Sequence, residues 1–304
     1  MDTCPKCGFE NASGAAECAH CGVFFSKVSH YSPPRLAAPR RVEDDDVIPD
    51  GRITRKELII LGSGLAAAIV VHAMPFLRFI FSALVSLLHE LGHAIVAWLV
   101  GVPAIPAFDF VYGGGFTNTG QFHISLAILI AGAFGYLGWI YRRNPKTVAV
   151  IAVLFVVWLI AVSSEWRRET AISAAGHLAE VIFAAIFFYM AMSGVGWRIP
   201  EVERPLGAFA AFFVQIQTMH FAWTLFHDAD ALALYREGKG GALMNDLEVV
   251  ALNLHIYFGM NTSIEGMAKL LFLFSFLPIP IAVVWYLQRA RWHRIGHALL
   301  QYEA

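Results

Sequence analysis

Charged side chains are scarce in this sequence. Only 15% of its 304 residues are Asp, Glu, Lys or Arg, whereas 58% are hydrophobic. Such a composition excludes an ordinary soluble globular domain. A dominant sign of charge is lacking as well, because the net charge is -1 at pH 7, and this excludes a polybasic surface for nucleic acid. We therefore expect the membrane, and no nucleic acid, to surround most of the chain.

Cysteine is lacking from most of the chain, since all 4 cysteines lie within the first 21 residues. Disulfide bonds therefore cannot hold the remaining sequence together. We expect no signal peptide either, because the stretch from Met1 to Glu10 is polar rather than a basic segment followed by an apolar core. We expect the first apolar run to direct the chain to its membrane.

The composition changes twice along the chain and predicts three segments. Residues 1–26 hold the cysteines, residues 27–56 form a polar linker, and residues 57–304 form a membrane-embedded domain. The linker combines prolines with a run of charged residues, so it cannot bury enough apolar surface to fold alone. We expect it to be a flexible tether.

The third segment contains apolar runs that each approach the ~20 residues needed to cross a ~30 Å hydrocarbon core as a helix. This predicts an all-α polytopic membrane protein with about six to eight transmembrane helices. The runs lie near residues 57–77, 79–101, 121–141, 147–164, 170–193, 206–226 and 267–288.

Basic residues flank the first and the last apolar run, and both clusters favour the cytoplasmic side. We expect a bacterial inner membrane with the N-terminal segment in the cytoplasm. Two cytoplasmic ends require an even number of crossings, whereas the seven apolar runs given above are an odd number. Either one run does not cross, or the weakly apolar segment 247–260 crosses as well.

The segment 102–120 departs from the helical pattern. Two prolines and a run of three glycines within it predict a short extended hairpin around a flexible turn. Such a hairpin can be a plain surface turn, or it can offer an unpaired strand edge to an unwound peptide.

The strongest chemical pattern is His89-Glu90-Leu91-Gly92-His93, within an apolar run that is predicted to be helical. Residues four apart lie on one face of a helix, so both imidazoles can bind one ion while Glu90 contacts the water on that ion. Ionisable groups inside apolar spans are costly and usually functional. The pattern therefore predicts a catalytic zinc site with His89 and His93 as ligands and Glu90 as the general base and acid.

With small residues following the second histidine, the stretch from His89 to Ala97 resembles the site-2 protease family of intramembrane zinc metalloproteases. The resemblance implies a zinc ion within the membrane, hydrolysis of peptide bonds in membrane-spanning substrates, and an aspartate from a later helix as third ligand. It makes residues 57–304 the protease domain. The asparagine and proline that precede Leu-Asp-Gly in the family are absent here in their usual form.

The best substitute for that aspartate lies near residue 228. A polar stripe of Gln217, His220, Thr224 and Asp228 follows helical spacing along an otherwise apolar run. We therefore expect Asp228 to be the third ligand, with Asp230 as the next choice and His227 after it. Alternatively, these acids mark where the helix leaves the membrane.

A second polar group consists of Ser173, His177 and Glu180, spaced four and three on a predicted helix. His177, Glu180 and His220 are expected as partners that orient the ligand histidines. Two other possibilities remain open: Glu180 is itself the third ligand, or His177 and Glu180 only pair with each other.

The N-terminal cysteines form two pairs, Cys4-x2-Cys7 and Cys18-x2-Cys21, and a glycine follows each pair. This spacing resembles zinc-ribbon modules, in which four thiolates bind one structural zinc ion. A disulfide framework is the alternative, and a cytoplasmic location disfavours it. We expect the ribbon at 1–26 to dock a protein partner rather than to perform chemistry.

Two other classes of function remain open. One is a non-catalytic membrane adaptor, in which the ribbon binds a partner and the histidine pair holds a structural or sensory metal. The other is a metal-dependent enzyme that modifies lipids, and the scattered histidines at 72, 123, 220 and 255 favour it.

Overall fold

The computed structural model describes residues 2–4, 6–27, 51–109, 114–237 and 244–300. The chain divides into two compact units, Met1–Ile48 and Pro49–Ala304, and each is described by itself. Most of the predicted linker lies outside the described residues.

The first unit is built around two similar turns. A short strand, β1 (Asp2–Thr3), pairs antiparallel with β2 (Glu10–Asn11). The amide of Gly8 donates to the carbonyl of Cys4, and the amide of Gly22 donates to that of Cys18, each over 2.9 Å. Both glycines have positive φ, 77° and 66°, which residues with a side chain rarely adopt.

The second unit is predominantly helical, as the apolar runs predict. A single hairpin interrupts the described helices, between α2 and α3. The helices are α1 (Arg55–Ala73), α2 (Pro75–Leu99), α3 (Ile124–Ile140), α4 (Pro145–Val162), α5 (Glu165–Ser193), α6 (Pro200–His227), α7 (Ala229–Glu237), α8 (Asp246–Phe258), α9 (Ile264–Phe274), α10 (Pro278–Leu287) and α11 (Arg289–Leu300).

Local sequence signals set several helix boundaries. The hydroxyl of Thr54 and the carboxylate of Glu57 form a capping box at the start of α1. Pro75 separates α1 from α2, because a proline lacks the amide needed to continue a helix but fits a first helical position. At the C-terminal end of α5, Gly194 adopts a φ of 73° and terminates the helix.

Five segments are long and apolar enough to cross a membrane, which indicates a membrane protein. They are α1, α2, α4, α5 and the combined Ile264–Leu287 segment. The predicted run at 121–141 becomes the shorter apolar helix α3. Large apolar side chains such as Val153 and Val157 are more than half exposed on α4, which suits contact with lipid rather than water.

The predicted run at 206–226 is not among these five segments. It lies within α6, which begins six residues earlier, and two glutamates and Arg204 lie in its first turns. Arg204 is buried and pairs with Glu57 of α1 at 3.3 Å, while it also donates to the carbonyls of Ala191 and Met192. The apolar character of α6 thus serves packing inside the bundle, where the helix contacts α1, α5 and α9.

The predicted extended segment is confirmed as an antiparallel hairpin. Strand β3 (Ala104–Asp109) pairs with β4 (Gly114–Thr119), with Ala104 opposite Thr119 and Asp109 opposite Gly114. Both strands pack against α2. The hairpin thereby lies beside the helix that carries the His-Glu-His pattern.

Candidate metal centre

The two histidines of α2 lie together on one face of the helix. Their ring centroids are 4.6 Å apart, and the two Nε2 atoms are 2.9 Å apart. A helix brings side chains at positions i and i+4 to the same face, which is the reason that this spacing suits a shared ion.

The outer nitrogens of both rings are held by groups that accept hydrogen bonds. His89 Nδ1 donates to the Glu180 carboxylate over 2.6 Å, and His93 Nδ1 donates to the carbonyl of Ile172 over 2.6 Å. A proton on Nδ1 of each neutral ring leaves a lone pair on Nε2. The two lone pairs therefore face the same point.

Asp246 completes this arrangement from the first turn of α8. Its Oδ2 lies 3.0 Å from Nε2 of His89 and 3.2 Å from Nε2 of His93. With both neutral rings protonated at Nδ1, neither Nε2 has a proton to donate to this carboxylate. An ionised carboxylate and two imidazole lone pairs thus converge with no donor among them.

These three atoms fit a divalent cation. An ion about 1 Å above their plane would lie about 2.0–2.1 Å from each of them, which is the length of zinc bonds to imidazole nitrogen and carboxylate oxygen. Two imidazoles and one carboxylate leave a fourth tetrahedral position for water or substrate, as in catalytic rather than structural zinc sites. The group can therefore hold a metal ion.

The facing helix α5 keeps space for this site. A Cβ placed on Gly176 would lie 2.5 Å from Nε2 of His93 and 2.6 Å from Nε2 of His89. On α2 itself, a Cβ placed on Gly92, the residue before His93, would lie 2.5 Å from the carbonyl oxygen of Ala175. Glycine at both positions lets α2 and α5 approach closely.

Glu90 lines the same cavity as His89. This cavity has a volume of about 490 Å³ and is also lined by Asp246 and His177. The hydroxyl of Thr117 on β4 donates to Glu90 Oε2 over 2.6 Å, and a Cβ on Gly115 would lie 2.5 Å from Glu90 Cγ. The hairpin therefore fixes the position of this carboxylate.

Two of the three predicted orienting residues, Glu180 and His177, lie beside His89, and one does not. Glu180 Oε1 accepts from Nδ1 of His89 and of His177, and its Oε2 accepts from Thr218 over 2.5 Å. One buried carboxylate thus orients two imidazoles. The exception is His220, which stacks edge to face against His72 at 5.2 Å.

His177 also lies close to the ion-binding atoms. His177, His89 and Asp246 each offer one ligand atom within 4.8 Å of the others. The triangle with His93 is tighter, because its sides are 2.9, 3.0 and 3.2 Å. We therefore assign His89, His93 and Asp246 to the ion and place His177 beside them.

The structure does not bring the residues near position 228 to the imidazole pair. Helix α6 ends at His227, and Asp228 has extended φ and ψ of -116° and 109°. Asp228 is exposed, and its Oδ1 accepts from the amides of Asp230 and Ala231, which begin α7. His227 stacks on Trp223 at 3.6 Å. Asp246 therefore takes the place expected of Asp228, because the predicted polar stripe stops where the helix does.

Comparisons with known proteins assign no family to this geometry. No family model, no curated protein and no solved structure matches the chain. The chemistry of the site therefore has to be inferred from the residues and distances above.

Sequence reasoning missed Asp246, Thr117 and Thr218. Asp246 follows the N-cap Asn245 at the start of α8, and acidic residues are common there because they complement the helix dipole. Thr117 lies among glycines on a strand, and Thr218 lies on an apolar helix. Only the hydrogen-bond partners of these hydroxyls, Glu90 and Glu180, reveal their contribution.

The four cysteines form the second possible metal site. The Sγ atoms of Cys4 and Cys21 are 3.7 Å apart, as are those of Cys7 and Cys18. Four sulfurs bound to one zinc ion at about 2.3 Å would be about 3.8 Å apart. Burial raises the pKa of Cys18, but the amides of Cys21 and His20 outweigh burial and hold it at about 6. That residue is therefore available as a thiolate ligand.

Proposed function

We propose that this protein is an intramembrane zinc endopeptidase of the site-2 type, which hydrolyses peptide bonds of membrane-spanning substrates. One observation carries the proposal. Nε2 of His89, Nε2 of His93 and Oδ2 of Asp246 converge within 3.2 Å of one another, and His89 and Asp246 line one cavity with Glu90. Helix α2, which carries three of these four residues, is apolar enough to cross a membrane.

Each residue of the cavity has a distinct role in this proposal. His89, His93 and Asp246 would hold the ion, and a zinc ion there would supply Lewis acidity to a water molecule and to the substrate carbonyl group. Glu90 accepts the proton of the attacking water and delivers it to the departing amine nitrogen. Thr117 orients the Glu90 carboxylate, while Glu180 orients the imidazole of His89.

The β3–β4 hairpin is the proposed binding edge for the substrate. A transmembrane helix satisfies its own backbone hydrogen bonds, so it has to unwind before a peptide bond becomes accessible. Extended peptides commonly bind by adding a strand to a sheet edge. Because β4 also contacts Glu90 through Thr117, a peptide paired with the hairpin would lie next to the general base.

The cysteine unit completes the proposal. We propose that it binds a second, structural zinc ion and docks a protein partner on the cytoplasmic side of a bacterial inner membrane. Ribbon modules of this size depend on their metal for folding and have no cavity for a reaction.

The decisive experiment is Glu90→Gln in the full-length chain, reconstituted in lipid vesicles with a membrane-spanning reporter peptide. Glutamine cannot accept the proton, so cleavage should fall by at least about 100-fold. The metal content should be unchanged, because Glu90 is not a ligand. Glu201→Gln, an exposed glutamate in the first turn of α6, is the matched control. Unchanged cleavage by the Glu90 variant would contradict the proposal.

The same experiment separates the adaptor alternative from the protease. In an adaptor that uses the metal only for structure, Glu90→Gln would change no activity. Such a protein would leave the reporter peptide intact in every variant. The lipid-modifying alternative has less support in the structure. His255 donates to the carbonyl of Met260, and the described residues contain no third group of metal ligands besides the two identified.

A further inference from the structure

A second cavity adjoins the candidate metal centre. It has a volume of about 510 Å³, and four residues line both cavities. These shared residues are Gln217, Phe221, Tyr235 and Asn245. The two cavities therefore lie on opposite sides of the same four side chains.

The two cavities differ in charge. The cavity of the candidate metal centre, called the metal cavity from here on, is lined by Glu90, Glu180 and Asp246. The described lining of the second cavity contains no carboxylate. Its charged group is Arg78, which is partly buried and makes no side-chain hydrogen bond or ion pair with any described residue. His220 and Thr224 line the same space. An unneutralised guanidinium in a partly enclosed space favours an anionic ligand.

The positions of Arg78 and His89 along α2 set the distance between the second cavity and the candidate metal centre. Arg78, Ser82 and Ser86 follow each other at intervals of four residues, and Ser82 and Ser86 line the metal cavity together with His89. Eleven residues separate Arg78 from His89, which corresponds to about 16 Å along a helix. An extended peptide covers that distance in about five residues.

We propose that Arg78 binds an acidic side chain of the substrate, located about five residues from the scissile peptide bond. The reach of the arginine side chain widens this window to roughly three to seven residues. Arg78 is then a specificity-determining residue. This inference rests on the proposed peptidase function, and it names the substrate class: membrane-spanning peptides with an aspartate or glutamate near the cleaved bond.

The test measures binding independently of cleavage. The full-length chain carrying Glu90→Gln is reconstituted in phosphatidylcholine vesicles with a labelled membrane-spanning peptide that has one glutamate, or a glutamine in its place. Adding Arg78→Gln should weaken binding of the glutamate peptide by at least about tenfold, because a charge-assisted pair is lost. Binding of the glutamine peptide should change by less than about twofold. Arg142→Gln, an exposed arginine stacked on Trp139, is the matched control and should have no effect.

A charge reversal provides the complementary measurement. Arg78→Glu should reject the glutamate peptide and bind a lysine peptide, whereas Arg78→Lys should retain most of the preference for glutamate. Equal losses with the charged and the neutral peptide would overturn the proposal, since they would indicate a structural role. Loss of the glutamate preference in vesicles of anionic phosphatidylglycerol would also overturn it, because a lipid phosphate would then occupy the cavity.

The two proposals fail in different ways. If the unsubstituted chain binds the glutamate peptide in preference to the glutamine peptide but does not cleave it, the peptidase proposal is contradicted. The role of Arg78 in binding an acidic side chain would then still stand. Cleavage that ignores a glutamate at every position of the window would support the peptidase and refute the role of Arg78.

Discussion

At the scale of single residues, the two candidate third ligands differ in the backbone amides and imidazoles that surround each carboxylate. Asp228 is exposed, and the amides at the start of α7 already occupy its Oδ1. Asp246 has two imidazole nitrogens within 3.2 Å of a single oxygen. A carboxylate that caps a helix has its hydrogen bonds satisfied, whereas one that faces two imidazole lone pairs can bind a cation together with them.

The first prediction separates these two carboxylates. Asp246→Asn removes the charge at constant shape and should reduce the metal content of the full-length chain from about two ions to about one. Asp228→Asn should leave about two ions bound. Elemental analysis of the purified protein measures both, and the cysteine site is the internal reference. The opposite pattern, with loss only in the Asp228 variant, would refute the assignment.

The second prediction concerns Thr117. Thr117→Val keeps the shape of the side chain but removes its hydrogen bond to Glu90. We expect kcat to fall by roughly 10- to 100-fold with little change in KM, since the residue positions the base without binding substrate. Thr117→Ser restores the hydroxyl and should recover most of the rate. Failure of serine to recover activity would indicate that the threonine acts through packing.

At the scale of elements, the site depends on how closely α2 and α5 approach each other. Gly92 and Gly176 are the positions where a side chain would collide with the facing helix or with the ligand imidazoles. Helices in membranes associate through such small residues, because lipid provides no hydrophobic driving force between them. Helix α2 therefore supplies the two imidazoles, and its close approach to α5 shapes the space beside them.

The third prediction tests that space. Gly176→Ala places a methyl group against both Nε2 atoms and should displace the imidazoles, so the metal of the second unit should be lost. Gly135→Ala in α3 is the matched control, because a Cβ there has no neighbour within 4 Å. Metal content and thermal unfolding in detergent provide the measurement. An alanine at position 176 that binds metal normally would show that the packing is looser than described.

Elements also explain which predictions from sequence succeeded. Proline, glycine and capping residues act locally, so the boundary at Pro75 and the hairpin at β3–β4 follow from neighbouring residues. The run at 206–226, predicted as a membrane span, lies in α6, which is not among the five segments long and apolar enough to cross. Its apolar side chains face other helices, and an apolar surface contacting protein has the same composition as one contacting lipid.

At the scale of the whole molecule, two possible metal sites lie in two separate compact units. The cysteine site belongs to Met1–Ile48 and the histidine site belongs to Pro49–Ala304. Their ligands differ in kind, since thiolates suit a closed structural site whereas imidazoles with a carboxylate leave a position open. This separation allows each site to be removed by itself.

The fourth prediction uses this separation. Replacing all four cysteines by serine should reduce the zinc content by about one ion per chain. The metal of the second unit should remain, and the unfolding temperature of that unit should be unchanged. Simultaneous loss of both ions would contradict independent sites. Elemental analysis combined with calorimetry in detergent distinguishes these outcomes.

The sequence by itself determined the helical, membrane-embedded character of the chain and the two cysteine pairs. It also determined that His89 and His93 share a helix face. All of these features depend on residues within a few positions of each other or on composition, which the chain carries regardless of how it packs.

Only the tertiary structure decided that Asp246 meets the histidines across 157 and 153 positions of sequence. It likewise brought Glu180 to His89 and Thr117 to Glu90. Hydrogen bonds of this kind depend on which helix faces which, and many sequences with the same pattern of apolar residues allow other pairings. Long-range contacts are therefore settled by the packing of the whole bundle.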